Sequence, residues 1–166
     1  MTIDVYDQLM TFSAMLGNLD KILTKAEADA DARKIDLQVF LHDRLAPDML
    51  PFVKQIQIMS DQAKGCASRL AGQEPPKWED NEQTFADLHR RIARTRDHLE
   101  SFRREDFHGW ETRDIELKYP NATLAFKGKD YLLTHVVPNF HFHYTTAYLI
   151  LRHDGVPLGK RDYLGG

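Results

Sequence analysis

The sequence predicts an all-α protein, a four-helix bundle carrying one small β-hairpin, and three observations lead there. Four segments space their apolar residues three and four apart. One short stretch between the third and fourth drops to a period of two. The length, 166 residues and 19.2 kDa, fits one domain over residues 1–166, and such a chain buries roughly two thirds of its unfolded surface.

The first helix is expected from Val5 to Lys25, with Val5, Leu9, Phe12, Leu16, Leu19, Ile22 and Leu23 on one stripe. Alternating Ala and Asp in AEADADARKID then interrupt the pattern, so Ala30 to Leu45 reads as a connection with at most a short helical turn. Pro47 suits the first position of a second helix, with Asp48 near its positive end. Phe52, Ile56, Met59, Ala63, Ala67 and Leu70 form that helix's core face, and Gly72 stops it. The two prolines of GQEPPKWED mark a linker. A third helix follows an Asp80–Gln83 capping box, with Phe85, Leu88, Ile92, Leu99 and Phe102 inward and HRRIARTRDH as a solvated face. DIELKYPNATLAF alternates about a Pro-Asn turn and predicts the hairpin. The last helix spans about Asp130 to Asp154, stops at Gly155, and either begins or kinks at Pro138. Long links after the first and third helices allow a crossover, so the residues leave the topology open.

Composition excludes several classes of function. Net charge is −3 and the pI about 6.2, which supplies no field for nucleic acid. A charged fraction of 28% and the absence of a long apolar run argue against a membrane span. MTIDVYDQLMTF lacks the basic start and apolar core of a secretory signal. The single cysteine, Cys66, suits a reducing cytoplasm and reads as a packed, unreactive thiol.

The densest chemistry lies in PNFHFHYTTAYLILRHDG, residues 138–155. On a helix His141 and His143 stand about 200° apart and cannot share one ion. Asn139 and His143, at i and i+4, share a face, and His135 extends that row. Opposite them the second helix offers a polar stripe of Gln57, Asp61 and Lys64. Three readings follow: these groups satisfy one another inside the bundle, His143 holds a metal with His135, His141 or a carboxylate, or the cluster moves protons without a metal. His89, His98 and His108 read as solvent-facing, His42 as a surface residue, and Trp78 and Trp110 as caps on the core.

The segment HVVPNFHFHYTTAYLILRHDGVPLGKRDYLG resembles the C-terminal signature of an uncharacterised bacterial domain-of-unknown-function family in the DinB-like (DinB/YfiT) superfamily. LHDRLAPDMLPF, QIQIMSDQAKGCASRLAG and EDNEQTFADLHRRIARTRDHL fit its earlier helices in order. The resemblance implies an up-down-down-up DinB-like four-helix bundle, frequently dimeric. It also implies a divalent metal on three histidines, one on the second helix and two at i, i+4 on the last, the later one twelve residues before a glycine. His143 holds that place relative to Gly155, but its partner position is Asn139, and QIQIMSDQAKG has no histidine. The expected protein is therefore a cytoplasmic homodimer with a degenerate metal site, taking a small ligand in a polar pocket of Gln57, Asp61, Asn139 and His143. The alternatives are a metal- or thiol-dependent transferase, with zinc, nickel or iron on His143 and His135, His141 or Asp61, and a structural or interaction protein.

Overall fold

The computed structural model describes residues 4–166. Helix α1 spans Val5–Arg33, α2 Leu37–His42, α3 Phe52–Leu70 and α4 Phe85–Glu100. The hairpin strands are β1, Asp114–Tyr119, and β2, Ala122–Lys127. One turn, α5 (Gly128–Asp130), and a π-helical turn, Tyr131–Val136, lead into α6, Val137–His153, and a short α7, Lys160–Leu164, follows. The four long helices make the expected bundle, and the hairpin pairs Tyr119 with Ala122 across Pro120–Asn121, as the alternation predicts.

Side-chain pairs between helices set the directions. Ser13 meets Glu100 and His89 meets Asp20 and Glu27, so α1 and α4 are antiparallel. Ser60 meets Thr95 and Ser68 meets His98, so α3 and α4 are parallel. Gln55 reaches His143 and Arg69 reaches Tyr131, so α3 and α6 are antiparallel. The order is up-down-down-up, and parallel α3 and α4 explain the long proline-bearing linker. Residues 73–83 must climb the length of α4, roughly 24 Å for its 16 residues, before that helix can start.

Four boundaries differ from the sequence expectation. Helix α1 continues through AEADADAR to Arg33 because Ala26 and Ala30, both buried, prolong the stripe of Leu19 and Leu23 at three- and four-residue spacing. Alanine is a weak hydrophobic signal but the best helix former. Helix α3 starts at Phe52 after Pro51, not at Pro47; residues 46–49 form a turn closed by Met49 N–H on the Ala46 carbonyl. Thr84 and Asp87, rather than Asp80 and Gln83, form the reciprocal cap of α4. The π turn lies just ahead of Pro138, which lacks the N–H that an α-helical Thr134 carbonyl would need.

The face HRRIARTRDH is not wholly solvated. Arg91 is buried, and its guanidinium donates to Asp80, Glu82 and Asp61 at 3.0–3.2 Å and to Ser60 Oγ at 3.1 Å. It pins the climbing linker against α3 and α4. Trp78 is held in the same linker between Lys64 and Arg94, 4.6 and 4.3 Å from its ring centre.

Arg91→Met should lower unfolding free energy by about 3–5 kcal/mol, because Glu82 would keep a nearly buried charge without its partner. Asp61→Asn, at a half-exposed position, should cost less than about 1 kcal/mol. Urea titrations of both variants test this ranking, and equal losses would contradict it.

Candidate functional site

Helices α3 and α6 meet at His143, which is 8% exposed and lies on the border between the packed and outer faces of α6. Its Nδ1 stands 2.7 Å from Oε1 of Gln55, a residue 1% exposed at a core position of α3. The Gln55 amide orientation is fixed, because its Nε2 donates to the Leu50 carbonyl at 2.8 Å. Oε1 can only accept, so Nδ1 must carry the proton and Nε2 is left with a free lone pair. That Nε2 has no partner among the described residues, and it is not buried from solvent. Burial holds the His143 pKa below the ordinary histidine value, which keeps the ring neutral near pH 7. The site therefore presents an unprotonated nitrogen, made a weaker base by burial, on a ring held through Nδ1.

Its surroundings are mixed. Asn139, half-buried, stands one turn earlier on the same face. Phe142 meets the imidazole edge-on at 5.2 Å and is 55% exposed, and Leu50, which anchors Gln55, is also exposed.

The structure does not assemble the four expected lining residues around one point. Gln57 and Asp61 project toward the linker and α4. Gln57 Nε2 donates to Glu82 at 2.7 Å, and Asp61 accepts from Lys64 and Arg91 at 2.6 and 3.2 Å. Positions 55 and 57 lie about 200° apart on a helix, so the partner of His143 is Gln55 and not the stripe beginning at Gln57. The signal for Gln55 was a polar residue at i+3 within the apolar row Phe52, Ile56, Met59.

The other expected ligands also lie elsewhere. His141 Nδ1 donates to the Val137 carbonyl at 2.8 Å, and its ring packs on Phe12 and Phe140. His135 stacks on Tyr131 within the π turn, its Nε2 buried without a partner. Among the described residues no group of three or more His, Cys, Asp or Glu side chains could hold a metal ion. No helix among them is long and apolar enough to cross a membrane.

Two expected surface histidines are engaged between helices. His98 bonds Ser68 at 3.0 Å. His89 Nδ1 faces Asp20 at 2.5 Å and its Nε2 faces Glu27 at 3.0 Å, so both ring nitrogens donate and clasp α4 to α1. Partial burial opposes the charged ring most strongly, but the hydrogen bonds and charges of the two carboxylates together outweigh it and raise the pKa. His108 is exposed, as expected.

Comparison with known proteins adds a family and a fold. The family described as "Domain of unknown function (DUF1993)" matches residues 5–164. No curated protein matches. A solved crystal structure, a DinB family member from Shewanella denitrificans, is 43% identical and superposes with a TM-score of 0.89, covering 98% of this chain and 92% of the other.

The two histidines should tilt stability oppositely with pH. His89 has a raised folded pKa, so its contribution is complete below about pH 6.5 and is lost as pH climbs through the folded value. His143 has a lowered one, so its contribution is present above about pH 6.5 and is lost as pH falls through the folded value. Urea midpoints of wild type, His89→Gln and His143→Gln across this range should show differences of opposite slope. Parallel curves would contradict the assignment.

Proposed function

The chain belongs to the DUF1993 family, and from that premise and its DinB-like fold we propose that it binds a small molecule through Nε2 of His143. The observation that carries this reading is the Leu50–Gln55–His143 relay, which leaves one imidazole nitrogen unprotonated and reachable. The ring is held through Nδ1 alone, which leaves Nε2 to water or to a ligand. The ligand contributes a hydrogen-bond donor to Nε2 and an apolar part to Leu50, with Asn139 positioned to choose its polar substituent. Gln57 and Asp61 belong to the linker side and lie outside this ligand set.

One observation favours a second reading, the metal- or thiol-dependent transferase. A neutral Nε2 lone pair fixed through Nδ1 is the form in which imidazole ligates zinc, nickel or iron. The residues present fit that group poorly: His141 and Asp61 are bonded elsewhere, and among the described residues no three His, Cys, Asp or Glu side chains converge. We also infer a homodimer, supported by exposed Phe142 and Leu149 two turns apart on the outer face of α6. A cytoplasmic location is supported by Cys66, a lone buried thiol whose pKa burial pushes up and which makes no disulfide.

A thermal-shift screen of small amphipathic compounds bearing a hydroxyl or acid group should find ones that raise the melting temperature of wild type by a few degrees but not that of His143→Gln. Equal responses in both proteins would overturn the proposal. Stoichiometric zinc, nickel or iron in untagged protein, lost in His143→Ala, would install the transferase reading instead. Light scattering at micromolar concentration should give twice the chain mass, and Phe142→Glu with Leu149→Glu should return the single chain.

A further inference from the structure

At the opposite end of α3 from Gln55, roughly 20 Å away along the helix axis, the start of the linker and β1 enclose a cleft of about 800 Å³. Four cations line it: Arg69 from α3, Lys77 from the linker, Arg113 from the residue before β1, and Lys118 on β1, which faces Glu116. Arg69, Lys77 and Arg113 pair with no carboxylate among the described residues, a condition they share with Arg44, Arg94, Arg103, Arg152 and Arg161. Two of the three carboxylates on the cleft have cations of their own. Asp114 bonds Lys127 at 2.6 Å, and Glu116 faces Lys118 at 4.0 Å. Only Glu74 is left, so the cleft carries a positive surplus.

Both guanidiniums are held in place by neutral acceptors. Arg69 Nη1 donates to the Tyr131 hydroxyl at 3.0 Å. Arg113 Nη1 donates to the Leu70 carbonyl at 2.5 Å and its Nη2 to the His108 carbonyl at 3.1 Å. Each also lies across a glycine. A Cβ on Gly65 would run into Arg69 Nη1, and one on Gly72 would stand 2.8 Å from Arg113 Nη1. Gly72 serves the turn in any case, with φ +75°, but Gly65 sits inside α3, where glycine costs about 1 kcal/mol against alanine. The missing Cβ leaves room for the Arg69 guanidinium against the helix.

Fixed, forked and unneutralised guanidiniums are the groups that recognise planar or tetrahedral oxyanions. We infer that this cleft binds a small multivalent oxyanion, the phosphate or carboxylate end of a small molecule, on Arg69 and Arg113, with Lys77 closing from the linker. The site shares no residue with the His143 face and stands or falls separately from it.

Calorimetric titration of the full chain at low ionic strength, with sodium pyrophosphate and sodium citrate as separate probes, tests the inference. Saturable one-site binding of at least one probe is expected, and which one binds tells a phosphate from a carboxylate ligand. Arg69→Gln should weaken it about tenfold and exposed Lys77→Ala about threefold. Gly65→Ala should weaken it by displacing Arg69 while leaving the helix at least as stable in urea. His143→Gln should leave it unchanged. No saturable binding of either probe, or equal binding by wild type, Arg69→Gln and Lys77→Ala, would overturn the site.

Discussion

The carbonyl of Leu50 decides the chemistry of His143. It accepts from the Gln55 amide, which turns Oε1 toward the imidazole, which in turn places the ring proton on Nδ1 and bares Nε2. Each step has one allowed donor and one allowed acceptor, so the tautomer follows from backbone geometry. The Phe52 N–H, one residue beyond Pro51, donates to the Asp43 carbonyl at 2.9 Å, which anchors the segment that carries Leu50. The entry into α3, rather than the last helix alone, therefore sets what the last helix presents.

That arrangement depends on the bundle's direction. His143 finds Gln55 only because α3 and α6 run antiparallel with the start of one beside the middle of the other. Parallel α3 and α4 impose the climbing linker, and the linker is tied down by Arg91 and by Trp78. Carboxylates on the linker that resemble a ligand set in sequence are thereby committed to the buried arginine. At the lower end, arginines without such partners are left facing open space. Where the carboxylates of this chain go thus determines which cations are free for function.

The fold was legible because its signals are periodic. The stripes of α1, α3 and α4 and the alternation of the hairpin lead directly to the observed elements, and the resemblance of the last helix carries their order. What escaped was coded weakly or not locally. Ala26 and Ala30 prolong α1 without a strong apolar signature, and Pro47 carries the helix-start signal although α3 begins after Pro51. Arg91 looked like one more surface charge until the linker folded over it. In the last helix, the spacing points to His143 beside Asn139, and the structure places its ring against Gln55 of α3 at the border of the packed face. Its partner was assigned to the neighbouring stripe, because helical spacing alone gives two adjacent faces and Gln55 is a polar residue hidden in the apolar one.

Direct observation of the imidazole protons of His143 tests the central claim most closely. A long-range nitrogen–proton correlation spectrum of ¹⁵N-labelled protein near neutral pH should show His143 protonated at Nδ1 and unprotonated at Nε2. The Gln55→Ala protein should lose that preference. A His143 ring carrying its proton on Nε2, or a fully protonated ring at that pH, would contradict the relay and the site built upon it.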